Sequence, residues 1–230
     1  MAKKIFALIL LMLIVSLLFA GCVRDGQYSN EQSNLHEDME VIYMSSFVVR
    51  HSSIDTPLSL ATHVARVEIL DERTELVSVV WIGQEYLGLE EEYEVITVNT
   101  MRILEVFKGG HEAGQIIEVS QPGGRYGNMH IIATSKTPLI VGDELILLFD
   151  DNSFDSSRPA IVFCTIQSAF HVSSAAERSN RTSRMQDISV LQAYEMGEIN
   201  ADYKFVGVNE SNNLSLTVGD LIRLVESADN

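Results

Sequence analysis

The sequence predicts a mainly β fold in which antiparallel strands form a small, closed or nearly closed barrel with a few short helices. Two observations lead to this prediction. Apolar segments with period-two alternation recur along residues 63–172, and glycines, prolines and polar turn residues separate them. Closely spaced strands with little helix between them favour such a barrel. An amphipathic helix is expected at the C-terminal end.

The first 22 residues have the order of a bacterial export signal. Two lysines are followed by an apolar run over residues 5–19, and Ala20 and Gly21 precede Cys22. The run is short for a membrane-spanning helix, which needs about 20 residues. The segment resembles the bacterial lipobox, although Phe19 stands where leucine is commonest. The resemblance implies that Cys22 carries acyl chains (palmitate or similar) and anchors the mature chain to the outer face of the cell membrane.

Two alternatives remain for this leader: an uncleaved N-terminal anchor, and an ordinary signal peptide cut nearby. Both also place the following domain outside the cytoplasm. We therefore expect residues 1–21 to be a signal peptide and residues 22–52 a lipidated N-terminus with a flexible tether. Residues 53–230 are expected to form the barrel-like domain. Residues 39–51 are more apolar than the tether before them and predict either a lead-in strand or a part of the tether that docks on the domain.

The charge and the cysteine count limit the possible functions and bonds. The formal net charge is −16, and removal of Lys3 and Lys4 with the leader would take it to −18. Such a chain repels phosphate backbones, so we expect no nucleic-acid partner. The chain has two cysteines, Cys22 and Cys164. If Cys22 is acylated, Cys164 has no partner, and its apolar surroundings predict a core residue.

The elements of the domain follow in order. Thr56 and Pro57 predict the start of a short helix over residues 57–62. Alternation or short apolar runs predict strands over residues 63–70, 75–82, 93–107, 115–120, 129–133, 144–149, 160–166 and 170–172. Residues 186–195 fit a short helix or a strand, and residues 203–208 a last strand. A helix over residues 217–227 would begin with a capping box of Thr217 and Asp220.

Several segments in this order resemble an uncharacterised family of exported Gram-positive bacterial domains. They are EVFKG at 105–109, IEVSQPGG at 117–124, PLIVGDELILLF at 138–149 and QSAF at 167–170. The resemblance covers roughly residues 57–226 and implies architecture and location but no activity. A weaker likeness is to the OB-type barrels of netrin-like and metalloprotease-inhibitor modules. The disulfide cysteines of those modules are missing here, so the likeness concerns shape alone.

No segment has the spacing of a common catalytic or metal site. The six histidines are dispersed, and each alone is typical of a surface or a strand face, although a site assembled from distant parts remains open. They are His36, His51, His63, His111, His130 and His171. The acidic groups around residues 90–94 and 150–155 lack the pattern of a calcium loop and read as solvated loops. There is no Gly-x-Ser-x-Gly or Ser-x-x-Lys motif.

The glycine-rich segment 122–127 predicts a turn at a barrel rim, with Arg125, Tyr126 and His130 as a candidate ligand-binding loop. We therefore expect a non-enzymatic lipoprotein that acts as a binding or interaction module. No cofactor or metal is expected, and the partner would be an envelope protein or a small ligand. A protease-inhibitor-like module and an envelope hydrolase with dispersed site residues are the alternatives.

Overall fold

The computed structural model describes residues 39–44, 50–79, 92–152, 157–163, 166–172 and 188–228. The predictions for the leader, for Cys22 and for Cys164 lie outside these ranges. Within them, no helix has the length and apolar character needed to cross a membrane.

The described elements are mostly strands. The strands are β1 (Glu40–Met44), β2 (His63–Val79), β3 (Glu92–Lys108), β4 (Ile116–Pro122), β5 (Gly124–Tyr126), β6 (Met129–Ala133), β7 (Glu144–Asp150), β8 (Ala160–Val162), β9 (Ala169–His171), β10 (Lys204–Gly207) and β11 (Leu216–Thr217). The helices are α1 (Asp55–Leu60), α2 (Val190–Glu195) and α3 (Val218–Ala228). The predicted mainly β class with a C-terminal helix is confirmed.

Five strands close a ring in the order β2, β3, β4, β8, β7 and back to β2. Its pairs are antiparallel except β4 with β8, which is parallel. Strands β9, β10 and β11 continue the sheet outward from β7. A separate three-stranded sheet has the order β1, β6, β5, and β1 runs parallel to β6. Part of the range predicted as tether is therefore a strand, as the lead-in alternative for residues 39–51 proposed.

Along the ring strands, successive side chains point alternately to the inside and the outside of the ring, and each side has its own apolar cluster. One cluster takes residues from all five ring strands, so it fills the interior; among its members are Val67, Ile103, Val119, Leu147 and Val162. Full burial of each such side chain stabilises the fold by about 1.5–3 kcal/mol.

The second apolar cluster lies on the outer face of β2 and β7. Val64, Ile146 and Leu148 on that face pack with residues of β9, β10, β11 and the three helices. The helices are therefore held by the outside of the ring, and the interior is filled by strand residues together with Leu139 from the segment between β6 and β7.

Three boundaries differ from the sequence prediction. Residues 63–79, predicted as parts of two strands at 63–70 and 75–82, form a single strand with a register shift between Ile69 and Asp71 in place of a turn, and residues 80–82 lie outside the described residues. Helix α1 begins at Asp55, and no side chain caps it, so Thr56 is not its cap. Residues 124–126, predicted as a loop, are β5.

The C-terminal helix begins as predicted. The Thr217 hydroxyl accepts from the Asp220 amide at 3.2 Å, and an Asp220 carboxylate oxygen accepts from the Thr217 amide at 2.8 Å. Two orphan amides are thereby satisfied. The ambiguous segment 186–195 contains helix α2, whose Ser189 and Gln192 form the same kind of capping box.

Candidate metal centre

Aromatic side chains close one end of the interior that the five ring strands surround. His63 is the first residue of β2, is 7% exposed, and stands opposite Phe149 in the pairing of β2 with β7. The His63 and Phe149 rings stack with centroids 4.9 Å apart. An imidazole therefore lies where the apolar interior ends.

A second imidazole comes from the turn that follows β3. The His111 ring lies 4.5 Å from the His63 ring and 5.6 Å from the Phe149 ring, centroid to centroid. Strand β3 brings it there because Lys108, the last residue of β3, pairs with Val64. Two histidines that are far apart in the sequence thus share one aromatic neighbour.

A carboxylate completes the group. Asp151 follows β7, and its Oδ2 lies 3.0 Å from His63 Nε2. The preceding residue fixes this part of the chain, since Asp150 Oδ1 accepts from the Thr62 amide at 2.7 Å and from the Thr62 hydroxyl at 3.0 Å. The His63 side chain is 8% exposed and that of Asp151 is 72% exposed, so the group opens to solvent at Asp151.

The imidazole nitrogens of His63 have no hydrogen-bond partner within the described residues. Both Nδ1 and Nε2 are buried, and the polar contact of the ring within these residues is that of Nε2 with the Asp151 carboxylate at 3.0 Å. Unpaired buried polar atoms are costly and call for an explanation in a folded protein. A bound cation would supply one for Nε2.

The second histidine is oriented by a glutamine. His111 Nδ1 lies 3.2 Å from Gln115 Oε1, and the same oxygen accepts from the Glu112 amide. Because this oxygen acts as an acceptor, Nδ1 is the protonated nitrogen, and Nε2 keeps its lone pair. His111 Nε2 is buried and has no hydrogen-bond partner in the described part of the chain. Metal-binding histidines are commonly oriented through the opposite nitrogen in this way.

A glycine makes room for the His63 ring. Gly109 has φ +104°, and a Cβ built there would lie 2.1 Å from His63 Nδ1. A side chain at 109 is therefore excluded by both backbone conformation and contact.

The three side chains fit a divalent transition-metal ion. One ligand atom from each of His63, His111 and Asp151 lies within 4.8 Å of the other two. Nitrogen and oxygen ligands about 2.0–2.1 Å from a tetrahedral zinc ion are roughly 3.3 Å apart, so the widest pair must close by no more than about 1.5 Å. Two imidazoles and one carboxylate suit zinc and similar ions, whereas calcium and magnesium prefer oxygen ligands. We call His63, His111 and Asp151 the candidate metal centre.

The loop predicted to bind a ligand is a hairpin of β5 and β6. Arg125 stands opposite His130, and Tyr126 stands opposite Met129. Arg125 and Tyr126 are exposed, and His130 is half-buried. The structure thus brings Arg125 and His130 side by side. Of the predicted acidic groups, Glu90, Glu91 and Asp155 lie outside the described residues.

Sequence spacing did not identify the candidate metal centre, because its ligands belong to three separate segments. The pairings of β2 with β3 and with β7 bring these segments together, and the open alternative of a site assembled from distant parts stays a prediction. The available local signal was Gly109 two residues before His111, which marks a turn and not a ligand.

No protein-family model matches the chain, and no curated protein is significantly similar to it. The resemblances described from sequence motifs therefore stay predictions, and function is argued from the chain's own residues.

Proposed function

We propose that this chain is a membrane-anchored extracytoplasmic lipoprotein whose domain binds a divalent transition-metal ion, zinc being the representative case. The anchor is the lipid on Cys22, and the binding site is the candidate metal centre. The proposed role is binding and not catalysis. A module held at the membrane surface would meet metal ions from outside the cell.

The observation that supports metal binding best is the convergence of three ligand atoms, of which the two imidazole nitrogens are buried and make no hydrogen bond within the described residues. His63 is more than nine-tenths buried and lacks hydrogen bonds within the described residues, and His111 Nε2 is left unpaired beside it. A purely structural pair of histidines would gain stability from hydrogen bonds to its ring nitrogens. A metal ion satisfies Nε2 of both rings.

Calorimetric titration of the full-length protein in detergent with Zn²⁺ tests the proposal. We expect one ion per chain and no competition from Mg²⁺ or Ca²⁺. Asp151→Asn and His111→Phe should weaken zinc binding by more than about 100-fold, a larger loss than removal of an outer-shell partner causes. Phenylalanine preserves the ring packing on Phe149, so loss of binding there reports loss of the nitrogen.

His130→Gln is the matched control, because it removes a half-buried histidine of the predicted ligand-binding hairpin and leaves the centre intact. It should bind zinc like the natural protein. The proposal is wrong if zinc fails to bind, or if His130→Gln loses binding while Asp151→Asn and His111→Phe keep it.

The anchor is tested separately by metabolic labelling with a fatty acid. Cys22→Ser should abolish the label and either release the protein or leave it as uncleaved precursor. Labelling that persists in the variant would contradict lipidation at Cys22, and it would leave the metal proposal standing.

A further inference from the structure

We infer that the outward face of the three-stranded sheet β1, β6, β5 docks on the lipid bilayer that holds the acylated Cys22. The five side chains of this face, which we call the docking face, are Val41, Tyr43, Arg125, His130 and Ile132. They would lie in the headgroup layer, with the apolar members turned to the acyl chains. The inference rests on the proposed lipid anchor and extends it from the lipid to the orientation of the domain.

The strand register places the docking face on one side of the sheet. Val41 pairs with His130, and Tyr43 pairs with Ile132, in the parallel pairing of β1 with β6. Arg125 pairs with the same His130 across β5 and β6. Paired residues share a side of a sheet and successive residues alternate between its sides, so these five side chains form one surface.

The opposite side of the sheet is turned toward the ring. Gly124 pairs with Ile131, which adjoins His130 and therefore lies on that opposite side. A Cβ built on Gly124 would lie 2.8 Å from Thr74 Cγ2 and 2.9 Å from Thr97 Oγ1, and these threonines belong to β2 and β3. The docking face is therefore turned away from the ring.

The docking face exposes an aromatic and an apolar side chain beside a cation. Tyr43 is 73% exposed and Val41 is 46% exposed. Arg125 is exposed as well, and Ile132 is half-buried. Tyrosine is enriched where a membrane meets water because its ring is apolar and its hydroxyl is polar, and a long cationic side chain can keep its charge among headgroups. This combination suits the headgroup layer of a bilayer.

The charge of the docking face also favours a bilayer. The chain carries a formal net charge of −16, whereas the five members of the docking face include a guanidinium, an imidazole and no carboxylate. Anionic headgroups repel the chain as a whole and attract a guanidinium close to the surface. Approach by this face therefore avoids the repulsion that an average part of the protein surface would meet.

The position of Cys22 in the sequence selects the bilayer as the partner, since exposed apolar side chains alone are common on folded proteins. Strand β1 begins at Glu40, 18 residues after Cys22. A chain of that length spans at most about 65 Å, so an anchored domain stays near the bilayer. Under such confinement a contact too weak to hold a free domain becomes populated. Among the described strands, β1 is the nearest to Cys22 along the chain, and it belongs to the docking face.

Paramagnetic relaxation in nanodiscs tests this orientation by nuclear magnetic resonance. The lipidated protein, one copy per disc, is placed in equal parts of phosphatidylcholine and phosphatidylglycerol, with and without a lipid whose headgroup chelates gadolinium. We expect the amides of Arg125, His130 and Ile132 to lose several-fold more signal than those of α2. The α2 amides serve as the reference because α2 is bound to Glu105, eight residues along β3 from Thr97, or about 25 Å. One copy per disc excludes a second copy of the chain as the partner.

Two aspartate variants complete the test. Tyr43→Asp places a carboxylate on the docking face and should even out the signal loss over the domain. Tyr194→Asp is the matched control, in an exposed tyrosine of α2, and should keep the pattern of the natural protein. Because both tyrosines are exposed, both variants should fold, and the amide spectrum without gadolinium verifies it.

Fatty-acid labelling of the same preparations separates the inference from the proposed anchor. If Cys22 is labelled and the strongest loss falls on another face, or Tyr43→Asp leaves the pattern unchanged, the inference is overturned and the anchor stands. An even loss over the whole natural domain would overturn it in the same way. If Cys22 is not labelled, the proposed anchor fails and the inference fails with it.

Discussion

The imidazole of His63 has little freedom to rotate, and the geometry of the candidate metal centre depends on its fixed orientation. Phe149 stacks on one side of it, His111 lies at 4.5 Å, and the backbone of Gly109 lies against Nδ1. Because these three neighbours pack against the imidazole, its Nε2 lies 3.0 Å from the Asp151 carboxylate before any ion arrives. Such preorganisation favours binding, since less conformational entropy is lost on association.

Replacement of Gly109 tests this packing at the residue scale. Gly109→Ala should destabilise the fold and weaken zinc binding, because the new Cβ meets the His63 ring. Gly114→Ala is the matched control: Gly114 also has positive φ (+87°), but a Cβ there meets nothing within 4 Å. The backbone strain shared by both variants costs about 1–2 kcal/mol.

Urea unfolding and zinc titration of the two variants measure the difference. Gly109→Ala should lose more stability than Gly114→Ala and should alone lose zinc affinity. Equal stability losses with unchanged zinc binding would show that the close approach to His63 has no consequence.

The partner of His111 gives a second residue-scale prediction. Gln115→Leu removes the oxygen that accepts from Nδ1 and should weaken zinc binding by about 10–100-fold. Gln115→Glu keeps an acceptor in place and should bind zinc at least as well as the natural protein. Isothermal titration separates the two, and equal affinities in both variants would exclude an orienting role for Gln115.

At the element scale, a buried ionic network ties helix α2 to the ring. Arg66 is 4% exposed; it pairs with Glu144, donates to the Ile188 carbonyl at 2.7 Å and lies 3.9 Å from Glu105. The Glu105 carboxylate accepts from the amides of Val190 and Leu191 at 2.7 and 3.1 Å. One carboxylate thus caps the start of α2 and lies beside a buried guanidinium.

Glu105→Ala should therefore destabilise the protein by about 2–4 kcal/mol, since the amides of Val190 and Leu191 lose their acceptor while Arg66 keeps its pair with Glu144. Hydrogen exchange should show the loss first in α2. Glu118→Ala, in an exposed pair with Arg73, is the control for removal of a strand glutamate. An unchanged exchange rate for the α2 amides would contradict this account of the network.

The pair of Arg73 and Glu118 links β2 to β4 and gives a pH dependence. Hydrogen bonds from Arg73 lower the pKa of Glu118 below its usual value. A lowered pKa in the folded state means that the stabilisation is present above the ordinary glutamate pKa and is lost as pH falls through the lowered value. The side chains are 41% and 40% exposed, so the effect should stay below about 1 kcal/mol.

Urea unfolding of Glu118→Gln against the natural protein tests this. The natural protein should be slightly more stable at neutral pH, and the difference should vanish in acid. A difference that grows as pH falls would contradict the sign.

Local patterns predicted the elements that carry a local signal. Alternation identified β3, which extends over Glu92–Lys108 against a prediction of 93–107. The capping box identified α3 through Thr217 and Asp220. The same signature at Ser189 and Gln192 would have decided between helix and strand for α2. β5 and β11 have three and two residues, too few for alternation to show.

At the scale of the whole molecule, the ring and the candidate metal centre share one origin. Both depend on pairings between segments distant in the sequence, such as β2 with β7 and β4 with β8. Sequence periodicity predicts that strands exist and which faces are apolar, whereas pairing partners follow from packing of the complete core. The strand-rich class was therefore predictable, and the meeting of His63, His111 and Asp151 was not.

The two ends of the ring differ in chemistry. Opposite the histidine end, Thr97, Asn99 and Gln121 are buried, and Lys136 donates to the Thr97 hydroxyl at 2.8 Å. Burial lowers the pKa of Lys136, while Glu72 acts in the opposite direction. An ammonium group has no lone pair to offer a metal ion and repels it by charge, so the histidine end, with two imidazoles and a carboxylate, suits a metal better.

The most direct test of metal binding is anomalous X-ray scattering from crystals of the protein grown with Zn²⁺, with data collected on both sides of the zinc absorption edge. The account predicts one strong anomalous peak per chain, bounded by His63, His111 and Asp151 and about 2.0–2.2 Å from each ligand atom. The peak should vanish in Asp151→Asn crystals grown in the same way. A principal zinc peak elsewhere on the chain, or no peak beside His63 and His111, would contradict the central claim.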